Sequence, residues 1–358
     1  MRCFWMTWRL ALVALLSLVF FACGSGTDSS SDEEDASGKK PKGYLFFRDD
    51  DTGHLKYIAF RGRIDDPKFT LLDSEAVDLD LGLDCYHPEV SPDGKWVAFS
   101  TTFENSADVS ELYVKSIGDT LPPIKLEVIN AAIPRWRVLP NGDTVIVYID
   151  DTRVLLSKNF DVEDSEVQER YEGWKTTGTW MVPFEGGAFG DSKKIAEGTF
   201  NGGASDDLTF MVSGAGVLMG RHVTYGKDYL VESFQDSVWY DRDQVCNASL
   251  SRDGTNRTLF LDLGGTQGTE FVGKEYRPHE FIWVVDEYGK LLDAVPSPER
   301  KAFDHTEWVG IEDYVVATML DEVELLHSRI VLVNMRDSSI VDLVEGGEMW
   351  HPNLWVEK

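Results

Sequence analysis

The sequence predicts an all-β fold, a β-propeller of six blades whose last blade is closed by strands from both ends of the chain. Three observations carry this. Short runs rich in β-branched and aromatic residues, such as "KWVAFST", "TVIVYID" and "SRIVLVN", alternate with Asp-Gly, Asn-Gly and Gly-Gly turns. A related segment recurs, with starts at His87, Ile133, Asn201, Asn247, His305 and His351, spaced 46, 68, 46, 58 and 46 residues apart. A period near 50 with about four strands per copy is the pattern of a propeller. The chain also stops just after opening a copy, at "HPNLWVEK".

Each copy is recognisable on its own residues. "HPEVSPDGKWVAFST" opens at His87, and Ser251-Arg252-Asp253-Gly254 repeats its Ser91-Pro92-Asp93-Gly94 turn. Ile133-Pro134-Arg135-Trp136 precedes "LPNGDTVIVY" with two residues inserted before its turn. Asn201 to Asp207 is the weakest copy, and His305-Thr306-Glu307-Trp308 and His351-Pro352-Asn353-Leu354 are the last two. No amphipathic helix of three turns is evident after the leader.

The abrupt ending has a physical reason. Blades pack face to face, so an incomplete ring would expose two apolar faces. The 8 residues from His351 and the 44 from Gly43 to Tyr86 together make one ordinary repeat. "HPNLWV" is then the inner strand of the sixth blade, and "GYLFFRD", "LKYIAFRG" and "KFTLLD" are its outer three.

Ahead of the propeller the composition changes. Residues 1–22 have a basic start (Arg2, Arg9) and an apolar run from Leu10 to Phe21, ending at Ala22-Cys23-Gly24. This is a secretory signal, and 12 apolar residues are few for a membrane span. It resembles the bacterial lipoprotein signal, which implies lipidation of Cys23 and a lipid anchor; Gly24 after it implies the outer membrane, on its periplasmic or surface face. Residues 23–42, including "SGTDSSSDEEDASGKKPK", offer almost nothing to bury and read as a flexible acidic tether. The propeller occupies 43–358. Its formal net charge contribution matters too: the chain carries −28, which argues against nucleic acid and anionic lipid surfaces as partners.

"HPEVSPDGKWVAFST" with "ELYV" further on resembles the repeat of TolB-like propellers, where the Asp-Gly turn joins the innermost strand to the second. "AAIPRW", "VWYDRDQVCNASLSRDG", "FDHTEW" and "EMWHPNLW" also look like a paralogous lipoprotein family of fibre-degrading gut bacteria whose function is not established. That resemblance implies envelope attachment and no reaction. TolB itself has a further α/β domain and no lipid anchor, so a TolB role does not follow.

The chemistry-bearing residues lie at the repeat starts. His87, His305 and His351 fall on neighbouring blades one, five and six, with Glu89 and Glu307 two places on. Imidazoles converging from adjacent strands beside carboxylates are able to hold Zn²⁺ or Mn²⁺, and TolB-like lyases of uronate oligosaccharides, by resemblance, hold a metal so. The plainer reading is that a His at the head of an inner strand bonds neighbouring backbone, and no cofactor is expected. Cys85 and Cys246 belong to opposite blades, too far apart for a disulfide, and are expected reduced. "RDDDTGH" (Arg48 to His54) reads as a hairpin tip, not a calcium loop. Trp96, Trp136, Trp174, Trp180, Trp239, Trp283 and Trp308 suit sugar stacking, but blade interfaces account for most of them. No G-x-S-x-G elbow is present, against a serine peptidase. The expected function is therefore a membrane-anchored binding or scaffold module for a protein or glycan partner in the cell envelope. The alternative is a metal-dependent, lyase-like enzyme acting on carbohydrate.

Overall fold

The computed structural model describes residues 42–62, 64, 70–71, 76–102, 109–151, 172–214, 217–239, 245–262, 266–311 and 313–358. The leader (1–22) and all but the last residue of the tether (23–42) lie outside the described residues. Six antiparallel sheets follow one another along the chain. Their innermost strands are Tyr86–Val90 (blade one), Ala132–Val138 (blade two), Gly203–Ala204 (blade three), Val245–Leu250 (blade four), Lys301–Trp308 (blade five) and Met349–Val356 (blade six). These begin within two residues of the predicted repeat starts, or just ahead of them. Among the described residues, blades two and six have five strands and the others four. A helix of seven residues, Thr266–Val272, links the second and third strands of blade four.

The strands are nearly continuous in apolar residues because each blade buries both faces. Side chains alternate across a strand, so in Gly43–Asp49 the side chains of Leu45 and Phe47 pack against blade five, and Phe46 packs against blade one. Likewise Val97 and Phe99 face blade six, and Ala98 faces blade two. Among the described residues a large hydrophobic cluster lies at each of the six blade interfaces. Trp136 and Trp283 are fully enclosed in them, and Trp174, Trp239 and Trp308 nearly so.

Blade six is closed by both chain ends. Gly43–Asp49 pairs with Met349–Val356, Leu45 opposite Leu354 and Phe46 opposite Asn353, and Leu55–Arg61 pairs outside it. Of "KFTLLD" only Thr70–Leu71 is described, and it pairs with Leu55–Arg61 as expected. "RDDDTGH" is a hairpin tip. Asp49 pairs with Lys56, and Arg48 bonds Asp50 at 2.8 Å and Asp84 at 2.7 Å.

The Ser-Pro-Asp-Gly turn joins the first two strands of blade one for a visible reason. Ser91 Oγ donates to Asp93 Oδ1 at 2.6 Å and accepts from the Trp96 N–H at 3.0 Å, which fixes the hairpin. Ser205 and Asp207 repeat this in blade three, where Phe210 N–H takes the role of Trp96. Gly94 sits at φ +70°, and a Cβ there would lie 2.4 Å from the Trp355 ring. The turn of blade one is thus fitted against the closing strand.

Candidate functional site

Five of the six repeat starts are β-bulges. His87, Ile133, Asn247, His305 and His351 have φ of 50°, 50°, 58°, 42° and 51°. At each, the pairing register of the inner strand with its neighbour shifts. Asn and His tolerate the left-handed region better than most side chains, which accounts for their recurrence at this position. In blade three the left-handed residue is Gly203, at φ +100°, two places after Asn201. At His87, Asn247, His305 and His351 the bulge brings the side chain to the channel, whereas Ile133 packs with Ala132 and Ile149.

Around the channel mouth the three predicted histidines come together. The ring centroid of His351 lies 4.0 Å from that of His87 and 4.2 Å from that of His305. His351 is buried, and that burial, together with the neighbouring His87, His305, Arg48 and Arg135, holds its pKa well below the usual imidazole value. It is a neutral ring at pH 7. Among the described residues, no group of three or more His, Cys, Asp or Glu side chains is arranged to hold a metal ion.

Glu89 and Glu307 act across the channel. Glu307 pairs with Arg135 of blade two at 2.6 Å, and Glu89 pairs with Arg252 of blade four at 2.9 Å. In a ring of six, blades five and two are opposite, as are one and four. Both ion pairs therefore span the axis. Arg135 and Glu307, with Asn201, Asn247 and the histidines, line a central cavity of about 20 Å³, enough for about one water molecule.

The same row of side chains clips neighbouring blades. Glu89 Oε2 accepts the Trp136 N–H at 2.8 Å, Asn353 Oδ1 the Val90 N–H at 3.0 Å, and Ser249 Oγ the Trp308 N–H at 3.4 Å. Each acceptor stands two places after its repeat start and each donor three places after the next. Asn353 makes this bond from the closing strand to blade one.

A second cluster flanks the histidines and was not visible in the repeat. His305 Nδ1 lies 3.1 Å from Asp304 Oδ1, and Asp304 Oδ2 lies 3.1 Å from His327 Nε2. His327 Nδ1 meets Glu348 Oε1 at 2.5 Å, and that oxygen also accepts from Trp350 Nε1 at 2.7 Å. Burial alone would raise the Asp304 pKa, but His305 and His327 bring it well below the carboxylate range. Burial opposes charge on His327 too, yet Asp304 and Glu348 raise its pKa above the ordinary value. Asp304 could have been suspected from its place beside His305. His327 lies on the third strand of blade five, Leu326–Asn334, and carried no signal.

Cys85 and Cys246 are both thiols. Burial pushes the Cys85 pKa up to about 12, which keeps it a protonated thiol at neutral pH. Cys246 Sγ lies 3.2 Å from His279 Nε2.

The chain is thus a six-bladed β-propeller closed by its terminal strands. By sequence it matches no known family and no curated protein. Among solved structures it is similar to the "Nidogen/Laminin Complex", with 9% identity and a TM-score of 0.52 over 88% of this chain and 99% of that one. A puromycin-hydrolyzing peptidase of Mycobacterium tuberculosis aligns with 13% identity and a TM-score of 0.42, over 84% of this chain and 45% of the other. A structure of prolyl endopeptidases aligns with 10% identity and a TM-score of 0.39, over 87% and 50%. At these identities the likeness is one of fold.

Proposed function

We propose that the protein is a binding or scaffold module, held in the cell envelope by a lipid on Cys23, that engages a protein or glycan partner through its outer surface. One observation carries this reading. Arg135–Glu307 and Arg252–Glu89 cross the axis, and the central cavity lined by the first pair and the histidines is about 20 Å³, against roughly 300–1,000 Å³ for ordinary ligand pockets. A sugar ring has no room at the centre, so recognition falls to rims and blade edges. A fold of this kind found in a protein–protein complex agrees with such a role. Membrane attachment is tested by Cys23→Ala, which should move the protein from the membrane to the soluble fraction.

A second reading rests on the packed rings of His87, His305 and His351. Burial holds the His351 imidazole pKa low, and a neutral imidazole is the metal-ligating form. On this reading the three histidines would hold Zn²⁺ or Mn²⁺, which would supply Lewis-acid chemistry for a lyase. Elemental analysis of protein purified without chelator separates the two. The binding-module reading expects no stoichiometric metal; about one Zn or Mn per chain, lost in His305→Ala, would reverse the ranking.

A further inference from the structure

The outer edges of blades two and three enclose a groove of about 590 Å³, well within the size range of ligand sites. One wall is the strand Lys193–Glu197, which among the described residues pairs with Gly178–Glu185 alone. The other is Val231–Val238, the outermost strand of blade three, paired on one side with Met219–Tyr225. Among the described residues the outer side of each strand meets no further strand. A strand edge of this kind presents a row of main-chain donors and acceptors at strand spacing.

The groove joins apolar surface to positive charge. Ile195 and Val223 are buried at its base, while Leu230 is 70% exposed and Phe234 52%. Lys193, Lys194 and Lys227 line it with Arg221, against the carboxylates of Glu197 and Asp228. Arg221 is engaged by Asp236 at 2.5 and 2.7 Å and lies 4.2 Å from the centroid of the Phe234 ring, so it holds that ring in place. The chain as a whole has 62 acidic residues to 34 basic ones; the groove lining reverses that balance.

The lip of the groove is strained. Asp228 and Tyr229 are consecutive non-glycine residues at φ 56° and 55°, in a turn closed by the Leu230 N–H on the Lys227 carbonyl at 3.2 Å. Two such residues in succession are unfavourable and persist where surrounding structure enforces them. The turn sets Tyr229 edge-on to Tyr225, with ring centroids 5.7 Å apart, and places Lys193 Nζ 5.9 Å from the Tyr229 ring centroid. A rigid aromatic and a cation thus stand together at the rim.

We propose that this groove binds an extended peptide in which acidic and apolar residues alternate, added along the edge of Val231–Val238. This rests on the binding-module reading and gives it a site and a ligand class. The edge strand supplies main-chain bonds in the manner of strand addition. Leu230, Val231 and Phe234 receive the apolar side chains, and the lysines receive the carboxylates. A glycan fits less well, because the polar side chains of the walls are almost all charged and the hydrogen-bonding groups are ranked along strands.

The test uses the full chain in detergent and fluorescent octapeptides. One set alternates glutamate with leucine or phenylalanine, one alternates lysine with the same residues, and one alternates serine. An oligogalacturonate serves as the glycan arm. The acidic set should bind, more weakly as salt rises. Phe234→Ala and the double change Lys193→Glu/Lys194→Glu should each weaken it at least tenfold. Val341→Ala, at an exposed position on blade five, should not change it. Circular dichroism melts confirm that each variant is folded. The proposal is overturned if no acidic peptide binds, if basic or neutral peptides bind as well, if the groove variants bind like the parent, or if oligogalacturonate binds in place of peptide. Retention of one defined envelope partner equally by parent and groove variants would sink the groove and leave the binding-module reading standing. Failure of every probe and of partner retention would remove both.

Discussion

Removing the last strand should unfold the whole ring. Deletion of Met349 to Lys358 takes away the inner strand of blade six, which carries Met349, Leu354 and Val356, all at most 5% exposed. Burying such side chains is worth about 1.5–3 kcal/mol each, or roughly 5–9 kcal/mol for the three. The deletion also removes the pairing with Gly43–Asp49 and the Asn353 bond to Val90. A domain's entire stability is about 5–15 kcal/mol, so the loss is comparable to the total. The expected result is loss of the cooperative near-ultraviolet transition in urea. Leu354→Ala is the graded version: the side chain is fully enclosed, and the substitution should cost about 2–5 kcal/mol, with one transition retained at lower urea. A synthetic peptide of the last ten residues should restore the transition of the truncated chain. If truncation leaves the midpoint and slope unchanged, the ring is not closed by this strand and the reasoning fails.

Other outcomes follow from the same contacts. Glu89→Ala leaves Arg252 and the Trp136 N–H without their shared acceptor and should lower stability by about 3–5 kcal/mol in urea titration, more than Glu89→Gln. Gly94→Ala forces a Cβ toward Trp355 from a left-handed position; a loss of about 1–3 kcal/mol is expected, with altered tryptophan emission. His327, facing Asp304, Glu348 and the Trp350 ring, has a raised pKa. A raised imidazole pKa contributes stability that is complete below about pH 6.5 and is lost as pH rises through the folded value. Melting temperatures taken with chelator present should therefore fall from pH 6 to pH 9 more for the parent than for His327→Gln; equal slopes would contradict the assignment.

The repeat was readable because it is a local device. Ser91, Asp93 and Gly94 make a turn from bonds within five residues, and blades three and four keep its Ser and Asp at Ser205, Asp207, Ser251 and Asp253. The anchor histidines and asparagines were found for a related reason, though their meaning differs. The position requires a left-handed bulge, and His and Asn are admitted there on conformational grounds. Ile133 holds the same conformation at φ 50° with a β-branched side chain, packed with Ala132 and Ile149. A histidine at this position is therefore weak evidence of chemistry.

What the repeat could not reveal depends on parts of the chain that periodicity does not align. Glu307 and Arg135 are 172 residues apart and meet because their blades are opposite. Glu89 and Arg252 meet for the same reason, although Arg252 stands where blade one has a proline. Symmetry places equivalent positions around the axis, but the contacts that close the axis join non-equivalent ones. The same holds at the rim. Blade three has the least regular inner strand, only Gly203–Ala204, and one of the longest outer strands, Val231–Val238. A sequence comparison anchored on inner strands registers that blade as the weakest copy. The departure from the repeat lies where a binding surface can be elaborated without disturbing the ring, since an outer strand contributes little to closure. Specificity in such a scaffold is to be sought at the blade edges that fit the repeat least, and the groove beside Phe234 is the one this argument selects.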